Sequence, residues 1–194
     1  MKCTGYLAYF EPHPQKLTKM KIYTSHKDLD KNISDERWLE GRKILAPLNV
    51  QVDQLNNVME NKMSAIAQKL NSSDTLEDSK DLTRFSIEYL NSLKPTGLPN
   101  SSILLKPGMP LNLIRNLNPK DGLCNGTILI FLSSVSNKLL KCKISGTERI
   151  VLIPRINFNP KKNEYPLNWS RRQFPVRVGF ASTINKAQGK IILW

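Results

Sequence analysis

Near the C-terminal end, an apolar run at 174–181 gives way to Ser182 and Thr183, and a short helical pattern follows that Gly189 closes. A strand that turns into a helix at Thr183 aims free backbone N–H groups and a hydroxyl outward, a ready seat for a phosphate. Lys186, one turn further on, adds positive charge to that face. The bland alternative is a capped surface helix with a solvated lysine. A second apolar run, Lys43-Ile44-Leu45-Ala46-Pro47, is stopped by proline, and Asn49 then reads as a helix cap.

Other chemistry is missing. No Gly-x-x-x-x-Gly-Lys-Ser/Thr occurs, and no acidic strand pairs with one, so the sequence lacks a phosphate cradle and its Mg²⁺ ligands. ATP hydrolysis by this chain alone is not expected, and no cofactor is expected in it. Cys3, Cys124 and Cys142 are too scattered for a disulfide framework or a zinc site, and His13 and His26 lie far from any cysteine pair, so no metal is expected either.

Charge narrows the partner. The 194 residues carry 29 Lys and Arg against 16 Asp and Glu, a formal +13, and nearly all of the excess lies beyond residue 100, where 15 basic residues face 3 acidic ones. Self-repulsion of that size is tolerable when the partner is a polyanion, and nucleic acid is the commonest one. An acidic protein is the rival partner. No apolar run approaches the roughly 20 residues of a membrane span. Residues 1–10 lack a signal-peptide core, which sets the expectation of an intracellular chain with no membrane partner.

The elements that must position these residues follow from periodicity. Residues 1–40 show no clean period and read as an irregular arm. Val52, Leu55, Met59, Met63, Ile66 and Leu70 recur at spacings of three and four, which predicts one amphipathic helix after the 43–47 strand. Acidic 72–81 reads as a solvated loop. The stretch 94–100 holds Pro95, Gly97 and Pro99 and coincides with the charge shift, so it reads as a boundary. Beyond it, runs at 103–106, 110–115, 127–132, 139–144 and 149–156, separated by Gly, Pro and Asn turns, predict a small antiparallel barrel. The 174–181 run reads as one buried strand.

Three segments together resemble one family. They are Arg42-Lys43-Ile44-Leu45-Ala46-Pro47-Leu48-Asn49, the 105–127 block from Leu105-Lys106-Pro107-Gly108 through Arg115-Asn116-Leu117 to Asn125-Gly126-Thr127, and Arg171-Arg172-Gln173-Phe174-Pro175 through Thr183-Ile184-Asn185-Lys186-Ala187-Gln188-Gly189. In order and spacing they are similar to the Pif-one-like DNA helicases of superfamily one, above all the helicase part of Helitron transposon proteins. The resemblance runs from about residue 30 to 189. It implies an α/β fold: a partial RecA-like helicase domain over 41–96 and 159–194, with an SH3-like β-barrel inserted over 97–158. By the same resemblance 44–49 corresponds to helicase motif IV and 183–189 to motif V, which grips single-stranded DNA. The implied nucleic-acid contacts are Asn49, Arg115, Arg172, Thr183, Asn185, Lys186, Gln188 and Gly189. An intact family member is an ATP- and Mg²⁺-dependent 5′ to 3′ DNA helicase of replication, repair or transposition, nuclear where functional.

Two departures from the family pattern stand out. Lys190-Ile191-Ile192 follows Gly189 where the family continues Gln-Thr-Leu, and no arginine-bearing motif VI comes after it. Asn112 stands where an apolar residue is usual, so its amide must find a partner or weaken the sheet. These departures read as decay of a transposon remnant or as a misread end. The sequence leaves the oligomeric state open.

Overall fold

The structure, a computed structural model, describes residues 32, 35, 39, 43–78, 84–161 and 164–183. Most of the irregular arm expected over 1–40 therefore lies outside the described residues. So do Arg42, Asn185, Lys186, Gln188 and Gly189. Among the described residues the architecture is α/β and rich in sheet. Strand β1 (Ile44–Ala46) leads into helix α1 (Asn49–Lys62), then come β2 (Gln68–Asn71), β3 (Ser73–Leu76) and the short helix α2 (Ile87–Ser92). The strands β4 (Ser102–Leu105), β5 (Pro110–Leu113), β6 (Ile128–Ser136), β7 (Leu139–Ile144), β8 (Ile150–Pro154) and β9 (Ile156–Phe158) follow, and β10 (Trp169–Gln173), β11 (Val176–Val178) and β12 (Ala181–Thr183) complete the order.

The expected run of strands after residue 100 is present, with each strand within a few residues of its predicted place, though β6 extends to Ser136 and the last run divides into β8 and β9. Strands β11-β5-β6-β7-β8 form a five-stranded antiparallel sheet, β2 pairs β4, β3-β10-β9 form a second antiparallel sheet, and β1 pairs β12 in parallel. Alternation along β7 and β8 puts Leu140, Cys142, Val151 and Ile153 on one face, where they join Leu111, Leu129 and Phe131, and Leu70, Ile103 and Leu105 of the β2/β4 pair cover that face. Burial there pushes the Cys142 thiol up to about 12.

The 174–181 run is not one strand. Pro175 cannot donate to a ladder, and the Val176 amide turns back to the Phe174 carbonyl at 2.8 Å, so the chain leaves one sheet and enters another. Strand β10 belongs to the three-stranded sheet, β11 to the five-stranded sheet and β12 to the parallel pair. The longer 169–181 stretch feeds all three apolar cores: Trp169 packs with Leu90 and Leu167, Phe174 and Val176 enter the core of the five-stranded sheet, and Phe180 and Ala181 pack with Leu55, Met59 and Met109. It is a seam.

Polar side chains on the inward face of β10 hold that seam. Arg171, with no exposure, grips Asp74 of β3 through Nε at 3.1 and 3.0 Å and through Nη2 at 2.7 Å. Its remaining donors reach the carbonyls of Leu90 (2.8 Å), Leu93 (3.3 Å) and Pro99 (3.2 Å), so the whole five-donor fork is engaged. Leu90 lies in α2 and Leu93 is its C-terminal cap, so the cation closes the negative end of that helix. Gln173, also buried, donates to the carbonyls of Leu70 and Ser101 and accepts from the Phe174 amide. Arg177 donates to the carbonyl of Leu98 at 2.7 Å. The 94–100 stretch, expected as a boundary, is thus buried at Pro95, Leu98 and Pro99, and side chains from β10 and β11 satisfy its backbone carbonyls.

Two further expectations are corrected. The acidic 72–81 stretch is not a solvated loop throughout: its 73–76 portion is β3, and the Asp74 side chain is fully buried because Arg171 needs it. The amphipathic helix stops at Lys62 rather than running to Leu70. Met63 is extended, and Lys106 Nζ donates to the carbonyls of Glu60 (2.7 Å) and Met63 (2.8 Å), terminating the helix. Ile66 is consequently 89% exposed, while Leu70 joins the other core.

Removing one partner of a buried pair strands the other charge, so Asp74→Ala is expected to cost about 3–5 kcal/mol in urea denaturation, against less than about 0.5 kcal/mol for the exposed Glu77→Ala. Equal midpoints for the two variants would refute the assignment. Cys142 is expected to resist iodoacetamide at pH 8, where a thiol titrating near 12 is only about one part in ten thousand thiolate. Because the folded thiol is raised, its contribution to stability is full below the unfolded value of about 8.5 and is lost as pH climbs above it.

Candidate nucleic-acid interface

The parallel pairing of β1 with β12 determines which candidate residues meet. Its register sets Ile44 against Ala181, Leu45 against Ser182 and Ala46 against Thr183, so both strands end at the same edge. Thr183, half-buried, closes β12 there, and Asn49 opens α1 three residues beyond Ala46. Ligand sites of open α/β sheets form at the carboxyl ends of parallel strands.

Asn49 is not the helix cap that the sequence implied. The cap position is Leu48, whose amide donates to Gln51 Oε1 at 3.4 Å, and Asn49 is the first helical residue, with its side chain exposed. The first turn carries no acidic residue, and among the described residues no side chain caps its amides, so the positive end of the α1 dipole faces this edge. Thr183 itself lies in strand geometry rather than at the start of a helix.

Three contacts set the position of the edge. Asn56, buried in α1, accepts a hydrogen bond from the Ala181 amide at 2.9 Å and so ties helix to strand. The Gly179 amide donates to the Pro110 carbonyl at 2.8 Å, fastening the start of β12 to β5. Asn112 finds the partner it requires: Lys43, just before β1, donates to its Oδ1 at 2.8 Å. Its amide side chain also crowds Gly179, where an added Cβ would stand 2.9 Å from Asn112 Nδ2 and 3.2 Å from the Leu111 carbonyl carbon.

Arg115 and Arg172 do not sit in the β1/β12 pair. Arg115, exposed just after β5, lays its guanidinium 5.4 Å from the Phe158 ring centroid. Arg172 points outward from β10, opposite Ser73 and Asn157 in register. Among the described residues no group of His, Cys, Asp or Glu is placed to hold a metal ion, and Asp74 is committed to Arg171. Sequence reasoning passed over Asn56 and Asp74.

The comparisons with known proteins bear on the fold. Residues 88–134 match the family model described as DNA helicase Pif1, 2B domain. Pif1 helicase from Candida albicans superimposes with a TM-score of 0.55 at 20% identity, covering 84% of this chain and 45% of that one. Unliganded Pif1 from Bacteroides sp gives 0.52 at 16% identity, covering 81% and 46%, and Bacteroides Pif1 bound to ssDNA gives 0.51 at 14%, covering 84% and 40%. No curated protein matches in sequence. The chain spans less than half the length of these helicases. The chain is Pif1-like in fold, and its residues 88–134 resemble the 2B domain of that helicase.

Gly179→Ala is expected to destabilise by about 1–3 kcal/mol through overpacking against Asn112 and the Leu111 backbone. The double variant Gly179→Ala with Asn112→Ala should recover part of the loss in a thermal melt. A Gly179→Ala protein as stable as the parent would show that the contact is not tight.

Proposed function

We propose that the chain is the DNA-gripping part of a Pif1-like, Helitron-type 5′ to 3′ DNA helicase, acting in unwinding during transposition or repair. On this reading β1, α1 and β12 belong to the second RecA-like domain, and the five-stranded sheet with the β2/β4 pair is the SH3-like 2B insertion. The observation that carries it is the parallel β1/β12 register, which delivers Asn49 and Thr183 to one edge beside the N-terminus of α1. The 2B match at 88–134 and the +13 charge support it.

Phosphate oxygens of a single strand would accept hydrogen bonds from the first-turn amides of α1 and from the Thr183 hydroxyl, and Lys186, Asn185 and Gln188 would extend the grip. Such contacts are to the backbone and carry no base preference. ATP and Mg²⁺ do not fit the residues present: there is no Gly-rich phosphate loop in the sequence, and the buried Asp74 is occupied. On this reading the nucleotide site belongs to a part of the helicase outside these residues, and the family resemblance is what suggests a nuclear location.

The purified chain is expected to bind single-stranded oligonucleotides of different sequence alike, with a log–log salt slope of roughly −3 to −4 if four to six phosphates are neutralised at about 0.7 each. Lys186→Ala should flatten the slope by about 0.7. A slope near zero, together with binding to an acidic protein surface, would favour the interaction-module reading instead. No DNA-stimulated ATP hydrolysis should accompany the chain through size exclusion, and ATPase activity that co-elutes with it would overturn the division of labour.

A further inference from the structure

The connection between β5 and β6 carries the one Asn-Gly pair in the sequence, Asn125-Gly126, and the one Asp-Gly pair, Asp121-Gly122. Both pairs are prone to the same reaction, because a glycine amide nitrogen, with no side chain beside it, closes readily on the side-chain carbonyl carbon of the residue before it. The structure treats them differently. The Asp121 carboxylate is taken: Arg149 Nη2 donates to its Oδ1 at 2.6 Å, and Asn118 Nδ2 donates to its Oδ2 at 2.5 Å. Asn125 is exposed, and its side chain has no hydrogen bond among the described residues.

What restrains Asn125 is the backbone around it. The Gly126 amide, the nucleophile that the reaction needs, donates to the Leu113 carbonyl at 2.6 Å, at the end of β5. The Leu113 amide donates back across the connection to the Thr127 carbonyl at 2.9 Å. On the other side the Asn125 amide donates to Asn116 Oδ1 at 2.7 Å, and the Thr127 hydroxyl donates to the Gly122 carbonyl at 2.7 Å. An amide whose proton is committed to a carbonyl is not free to lose it and turn on a side chain. The reaction therefore waits for the turn to open.

We infer that Asn125 is a modification site whose reaction with water the native turn holds shut, so that its conversion records each opening of the β5–β6 connection. In the open turn the Gly126 nitrogen gives up its proton to solvent and attacks Asn125 Cγ. The new C–N bond closes a five-membered imide as the Cγ–Nδ2 bond breaks, and Nδ2 takes up a proton and leaves as ammonia. Water then opens the imide at either carbonyl to give aspartate or isoaspartate, so one water enters for each ammonia lost. Either product puts a carboxylate where a neutral amide stood, within the basic half of the chain. Isoaspartate also adds an atom to the main chain inside the connection that sets the β5/β6 register, which makes the mark one-way. The site rests on its own geometry and not on the DNA-binding reading above.

The test incubates the full chain at pH 8 in buffer and in urea, and follows Asn125 by peptide mass mapping for the exchange of NH₂ for OH. Conversion in buffer is expected to be about a hundredfold slower than in urea, and no faster than the Gly126 amide opens in native-state hydrogen exchange. Asn125→Gln, whose ring closure is six-membered and slow, should remove the signal in both solvents. Asn116→Ala should speed native conversion about fivefold through the loss of one hydrogen bond and leave the rate in urea unchanged. In each protein the native rate should track Gly126 exchange, which keeps the comparison decisive where a substitution lowers the melting temperature. Equal rates in buffer and urea, native conversion faster than Gly126 exchange, or an Asn116→Ala protein that converts no faster than its parent would each overturn the guarded site. Native conversion at Asp121 ahead of Asn125 would overturn the assignment of the residue.

Discussion

A full positive charge with no exposure to water sits at Arg171, and the placement of the elements around it follows from the need to compensate that charge. Removing a guanidinium from water costs several kcal/mol even after relaxation, and only a carboxylate with further acceptors in the right plane offsets it. Asp74 supplies the charge, and the carbonyls of Leu90, Leu93 and Pro99 supply the rest. These acceptors come from β3, from the end of α2 and from the connecting 94–100 stretch. One side chain therefore decides how three segments, distant in sequence, lie against β10. An apolar residue at 171 would fill the space without specifying which carbonyls it meets.

The same strand passes the constraint onward. Four residues beyond Arg171 the chain turns at Pro175 into the five-stranded sheet, and after Gly179 it enters the parallel pair that ends at Thr183. A ligand-binding edge built on a pair of three-residue strands would have little stability of its own. Here β12 is fastened by Asn56 to α1, by Gly179 to β5 and, through β11 and β10, to the buried pair. The buried polar side chains thus belong to the support of the edge rather than to its surface, while the exposed Arg172 on the same strand faces solvent.

What the sequence discloses depends on the range of the interactions. The strands from β4 to β8 are legible because their turns are local: Gly108, the Asn125-Gly126 pair and Gly146 punctuate alternating runs, and each of these glycines takes a positive φ. The strand and helix at 44–62 are legible from proline and periodicity, and their link to Thr183 came from the family resemblance. Asp74 is illegible because an acidic residue among Ser, Glu and Asp looks solvated until its partner, 97 residues away, is known. Met63 to Leu70 misleads because the three-and-four spacing persists after the helix has ended, and what ends it is Lys106, just past the end of β4. The 174–181 run hides two changes of sheet, although Pro175 and Gly179 were visible as breaks. Of the four candidate contacts among the described residues, Asn49 and Thr183 lie at one edge. Arg115 and Arg172 lie on other sheets.

Native-state hydrogen exchange at the Ala181 amide, which donates to Asn56, tests the dependence of the edge on the buried pair most directly. If the seam is one cooperative unit, Asp74→Asn should lower the opening free energy of the Ala181 amide by the same amount as that of the β10 amides. An Ala181 amide whose protection is unchanged while β10 opens would show that the edge bearing Thr183 stands independently of Arg171, and would contradict this account.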